Sequence, residues 1–171
     1  MKYILKWVFI NMLLIFPMFV FAETGVRVYE HLGKFSYCPP LNWNVTDFPG
    51  LKYKAIIGPI DGSFAANIVF VDETFDGNLN TYVNYNLIQM ENFFQRYRLL
   101  SRDAFRTNSG IIGERVIYNS FQHGFFLRAV AYFLQISNNK YIVITCGSLD
   151  NVGTRYLSLF DESIKTLELI N

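Results

Sequence analysis

Phe125-Phe126-Leu127-Arg128-Ala129-Val130-Ala131-Tyr132-Phe133-Leu134-Gln135-Ile136 decides the fold. Phe126, Val130, Tyr132 and Leu134 alternate with Phe125, Leu127, Ala129 and Phe133, so the segment is apolar at both parities. Successive side chains of a strand point to opposite faces. A strand written this way is covered on both sides, because otherwise one face would leave a large apolar patch in water. Gln122-His123-Gly124 on one flank and Ser137-Asn138-Asn139 on the other are short turns, which make the neighbouring strands antiparallel. Those neighbours are Ile111–Asn119 and Lys140–Cys146, and the layers that cover them must come from elsewhere in the chain.

Working outward, Val26–His31 and Lys34–Cys38 form a hairpin turning at Leu32-Gly33. Trp43–Val45 adds a short strand after the Pro39-Pro40 break. Lys52–Ile57 and Ala65–Val71 form a second hairpin, with Gly58-Pro59 and Asp61-Gly62 as turn material. A first helix is expected over about Asn78–Arg98. Leu79, Tyr82, Val83, Met90, Phe93, Phe94 and Tyr97 recur at helical spacing, Asn78 serves as N-cap, and Arg96 and Arg98 sit at the negative end of the dipole. A last helix is expected over about Val152–Leu169, with Tyr156, Phe160, Ile164 and Leu167 on one face. Two helices against an antiparallel sheet make an α+β class.

The N-terminus reads as a signal peptide. Lys2 and Lys6 precede the apolar run Trp7–Val20, and Val20-Phe21-Ala22 supplies the cleavage pattern before Glu23. Residues 1–22 are therefore expected to be removed, leaving 23–171 as one domain outside the cytoplasm, periplasmic or secreted, with no membrane insertion after cleavage. Loss of Lys2 and Lys6 takes the basic count from 15 to 13 against 14 acidic residues. A near-neutral chain offers no electrostatic case for nucleic acid or an anionic membrane. With hydrophobic residues at 51% of the full sequence, a core can form without staples. The two cysteines, Cys38 and Cys146, are open to two readings: a disulfide, which export permits, or two buried free thiols.

No catalytic constellation is visible, and no cofactor or metal is expected. His31 and His123 each fall at a hairpin turn, and neither a nucleophile elbow nor a phosphate loop occurs. Asp72-Glu73-Thr74-Phe75-Asp76-Gly77-Asn78 echoes half a calcium loop. Its twelfth position is Val83 rather than Glu, so the segment reads as a polar turn capping the first helix. Arg96, Arg98, Arg102 and Arg106 are the one local charge concentration. If the segment is extended, Arg98, Arg102 and Arg106 share a face, either a solvated edge or a surface for an anionic partner. On that reading, truncating Arg98 and Arg102 leaves folding nearly untouched.

Phe35-Ser36-Tyr37-Cys38-Pro39-Pro40 with Trp43, Ile111-Ile112-Gly113 with Tyr118, and Tyr141–Cys146 followed by Phe160 and Ile164 resemble the corresponding strands and closing helix of the PsbP-like superfamily, which includes DcrB-like envelope proteins. The resemblance spans nearly all of residues 25–170. It implies an antiparallel sheet sandwiched by helices, both cysteines in one sheet, and a protein that docks onto other proteins. The function expected is thus a non-catalytic binding or structural module acting through an unidentified protein partner. The alternative is a small-ligand carrier or hydrolase-like enzyme with a pocket between helix and sheet, lined by Tyr37, Trp43, Tyr118 and Tyr132.

Overall fold

The computed structural model describes residues 23–170, so the expected signal peptide, residues 1–22, lies outside the described residues. The doubly apolar segment is the heart of the structure. It forms β8 (Phe125–Ser137), in which every residue from Ala129 to Leu134 is buried. Val130, Tyr132 and Leu134 point into one core cluster, and Ala129, Ala131 and Phe133 into another. β7 (Ile112–Gln122) and β9 (Lys140–Leu149) flank it, both antiparallel.

Around these strands lies a seven-stranded antiparallel sheet in the order β3-β4-β5-β9-β8-β7-β6, with β3 Asn44–Thr46, β4 Ala55–Asp61, β5 Phe64–Thr74 and β6 Gln95–Arg106. The chain builds the β3-β4-β5 side first. It then crosses one face of the sheet as α1 (Leu79–Phe93), lands at the far edge as β6, and meanders back until β9 closes against β5. α1 packs Tyr82 and Val83 on Val116, Tyr118, Ala129, Phe133 and Tyr141. The Tyr82 ring stacks on Tyr141 at 4.1 Å and its hydroxyl donates to the Glu73 carboxylate; burial first, and then this bond, raise the phenol's pKa. From β9 the chain recrosses the opposite face as α2 (Asp150–Lys165), burying Tyr156, Phe160 and Ile164 against Val130, Tyr132, Leu134 and Ile144. Full burial of a side chain such as Phe160 contributes about 2–3 kcal/mol.

The layer on the α2 side is shared with a second, three-stranded sheet. β1 (Val28–Glu30) and β2 (Phe35–Tyr37) form the first hairpin, and β10 (Glu168–Leu169) adds to β2. Phe35 and Tyr37 pack on Phe70 of β5 at 5.5 and 4.5 Å between ring centroids. The Ser163 hydroxyl donates to the Cys38 carbonyl and the Cys38 N–H donates to Thr166 Oγ1, both at 2.7 Å, stitching this sheet to the end of α2. The two cysteines therefore do not share a sheet: Cys38 follows β2, and Cys146 lies in β9. Both thiols are free.

Three local expectations change. α1 ends at Phe93, not Arg98, because Phe94 turns extended and Arg96 adopts a left-handed φ of 52°. Arg96 and Arg98 thus belong to a strand rather than a helix C-terminus. Gly58-Pro59 is not a turn but an irregularity inside β4, between Ile57 and Ile60. The bare Gly58 backbone lies under the Trp43 indole, where an added Cβ would sit 2.6 Å from the ring. The closing helix stops at Lys165, and Glu168–Leu169 pairs with β2 instead of extending it.

Candidate interaction surface

Of the four aromatic residues expected to line a pocket, Trp43 borders an open concavity of about 370 Å³ together with Val28, Pro40 and Val45, whereas the three tyrosines do not. Tyr37, Tyr118 and Tyr132 are fully buried core side chains. Trp43 packs edge-on to Tyr156 and Phe160 at 5.8 and 6.0 Å. The Tyr132 hydroxyl donates to Asp161 Oδ1 at 2.6 Å. Arg115 Nε lies 2.7 Å from that oxygen, an ion pair whose N–H is not aligned on it. These groups join β7 and β8 to α2.

The remaining candidates scatter. His31 sits in the β1–β2 turn beside Tyr29, and His123 in the β7–β8 turn. His123 and Gly124 both have positive φ, 49° and 88°, as a two-residue type I′ hairpin demands. Cys146 is buried, and burial, reinforced by the Asp161 charge, pushes its thiol pKa well up, opposite to what activates a nucleophile. In the calcium-like segment, Asp72 pairs with Lys52 at 2.8 Å, Glu73 accepts from Tyr82, and Asn78 Oδ1 caps α1 by accepting from the Thr81 N–H at 2.9 Å. Among the described residues no group of three or more His, Cys, Asp and Glu side chains converges as metal ligands would.

The four arginines behave as individuals. Opposite residues of paired strands share a face. Arg102 and Arg106 oppose Val116 and Ile112, but a register shift between Leu99 and Ser101 sets Arg98 opposite Asn119, on the other face. Arg102 is not a solvated cation. Its guanidinium holds the Glu114 carboxylate with two nitrogens and donates to Asn84 Oδ1 at 2.6 Å and Asn80 Oδ1 at 2.8 Å, tying β6 to both β7 and α1. Arg98 and Arg106 are exposed and have no ion-pair partner among the described residues.

Arg96 organises the feature most unlike an ordinary surface. Its guanidinium carbon lies 5.6 Å from the Phe121 ring centroid and 5.2 Å from that of Phe126, and those two rings pack at 4.9 Å. Phe93 is 82% exposed and Phe126 52%. Phe93, Phe94, Gln95, Phe121, Gln122, His123 and Gly124 line an open cleft of about 400 Å³ between the end of α1 and the β7–β8 hairpin tip. Left-handed backbone at a non-glycine residue costs on the order of 1–3 kcal/mol, and here it aims the arginine across two phenyl rings. Exposed aromatic residues beside an arginine are the composition enriched in protein-binding hot spots. The sequence pointed to Arg96 alone. The missed signal is the pair of doublets Phe93-Phe94 and Phe125-Phe126: at the end of an element, two adjacent aromatic residues cannot both face inward.

A further concavity, also about 400 Å³, lies on the α1 side of β4 and β5, beyond the reach of α1. Phe48, Leu51, Ile57 and Val69 form its walls, with the Asn67 carboxamide as its polar side chain. No helix among the described residues is long and apolar enough to cross a membrane.

This geometry can be set beside known proteins. No protein-family profile and no curated protein sequence matches the chain. Solved structures do. LpqN of Mycobacterium tuberculosis, described as involved in cell envelope biogenesis, superposes with a TM-score of 0.66 at 11% identity, over 87% of each chain. The cyanobacterial PsbP protein CyanoP of Synechocystis sp. PCC 6803 superposes at 0.61 with 14% identity, over 85% of this chain and 92% of its own. The fold is PsbP-like. A Pseudomonas aeruginosa protein of unknown function, PA94, described as a putative regulator, also matches at 0.61 and 14% identity over 87% of this chain and 99% of its own. At such identities the likeness concerns the fold alone, and one PsbP-like fold can carry different sites.

Proposed function

We propose that residues 23–171 form a single exported, non-catalytic module that docks onto a protein partner in the envelope or extracellular space, after removal of residues 1–22. The observation that carries the reading is the exposed Phe93–Arg96–Phe121–Phe126 cluster, held by left-handed backbone at Arg96. Export is supported by the basic-then-apolar N-terminus and by the envelope role in the description of LpqN. The reading assigns no reaction, since the histidines lie on separate turns and the Cys146 thiol is buried with a raised pKa.

The test is site-specific photo-cross-linking in the native host, with the cross-linker at Phe93 or Phe126 and, as a control, at Leu32 in the β1–β2 turn. A discrete adduct is expected from the first two positions, lost in Arg96→Glu and absent from Leu32. Equal adducts from Leu32, or none from the cluster, would defeat the reading. The β4–β5 concavity supports a second one, carriage of a small apolar ligand. Mass spectrometry of the protein purified from its host would then find a stoichiometric apolar compound that Ile57→Trp removes.

A further inference from the structure

We infer that the free edge of β6 accepts an extended, acidic segment of the partner as an added strand. This rests on the docking reading above and names the chemistry of the partner. The two edges of the large sheet are unequal: β3 spans three residues, whereas β6 spans twelve. Among the described residues, only β7 on its inner side and α1 on one face pack broadly against β6. The N-terminal half of β6 carries two register shifts, but Ser101–Arg106 pairs with Ile117–Ile112 without interruption. At about 3.3 Å per residue, that leaves roughly 20 Å of regular strand whose outward N–H and C=O groups face solvent, the template that strand addition uses.

Charge selects the occupant. Arg102 is neutralised by Glu114, and the Asp103 carboxylate lies 3.9 Å from Arg115. Arg106, at the end of the regular stretch, and Arg98, three residues before it begins, stay uncompensated and lie on opposite faces. A helix laid along the edge presents its acids on one side and meets one of them. An extended segment alternates its side chains and reaches both. A second copy of this chain fits poorly, since each β6 brings its own uncompensated Arg98 and Arg106, and like charges across a strand pair are destabilising.

The test titrates the purified protein with three fluorescein-labelled decapeptides of Val and Thr. The first has Glu near each end, the second has Lys in place of Glu, and the third is the Glu peptide N-methylated at alternate residues. The Glu peptide should bind more tightly than the Lys peptide by about tenfold, the scale of two exposed ion pairs, and less tightly as salt rises. N-methylation should abolish binding, and bound peptide should slow amide exchange within Ser101–Arg106. Arg98→Glu with Arg106→Glu should reverse the preference between Glu and Lys peptides. Equal binding of the N-methylated or Lys peptide, or no binding of any, overturns the inference. If the Phe93 cross-link persists in that case, the docking reading stands without strand addition; if it too is absent, both fall.

Discussion

Replacing Arg102 by alanine separates a clamp from a decoration. The guanidinium makes four polar contacts, two to Glu114 and one each to Asn80 and Asn84, and so fastens the edge strand to β7 and α1 at once. Its side chain is 27% exposed and that of Glu114 16%, so water screens the pair only in part. A hydrogen bond to a charged group contributes about 1.5–3 kcal/mol. Partial solvation and non-additivity reduce the set to about 2 kcal/mol for Arg102→Ala, much of it from stranding Glu114. For a domain of this size that lowers the melting temperature by about 4–8 °C. Arg98→Ala, an exposed cation without an ion-pair partner, should stay within about 0.5 kcal/mol. Urea denaturation of Arg102→Ala, Arg102→Lys, Glu114→Gln and the Ala/Gln double variant is the assay. Lysine keeps the charge but not the fork and should recover less than half the loss. If Arg102→Ala is as neutral as Arg98→Ala, or the cycle shows no coupling, the clamp is wrong and the view of Arg102 as a solvated cation returns.

Three further outcomes follow from the same geometry. Arg96→Gly relieves a left-handed residue while deleting the cation over two rings, so chemical denaturation should show no loss of stability while cross-linking from Phe93 disappears. Thiol titration should find two free thiols in the denatured, unreduced protein, with Cys146 reacting only once the chain unfolds; a bridged pair would contradict the structure. Asp61 accepts from the Tyr156 hydroxyl and from Arg155, each at 2.6 Å, and these bonds hold its carboxyl below the usual range. Its folded-state pKa lies below the unfolded value of about 4, so its contribution is full above that pH and is lost as pH falls through the folded-state value. Asp61→Asn should therefore flatten the acid limb of the stability–pH curve, and an unchanged limb would discount the contact.

The central meander was legible because Ala129–Leu134 leaves no polar parity, so burial on both faces was the remaining option. α2 was legible through Tyr156, Phe160 and Ile164. The join between α1 and β6 was not. Phe93, Phe94 and Tyr97 continue the helical period past the real end at Phe93, and neither Gly nor Pro marks the stop. Arg96, rather than a glycine, takes the left-handed φ. Strict alternation from Arg98 puts Arg98, Arg102 and Arg106 on one face, and the register shift between Leu99 and Ser101, which no residue type marks, moves Arg98 to the other. Sequence reports aromatic content but not depth, so the tyrosines suggest a pocket lining that the structure does not give them. At Tyr37, Tyr118 and Tyr132 the space between layers is already filled.

The most direct measurement is amide hydrogen exchange on the purified protein, with and without the partner recovered through the Phe93 cross-link. The account expects slowed exchange confined to the β7–β8 hairpin tip around His123 and to β6, with the β4–β5 concavity unchanged. Slowed exchange over Phe48–Leu51 and β4–β5 instead, with β6 and the hairpin tip unaffected, would contradict it.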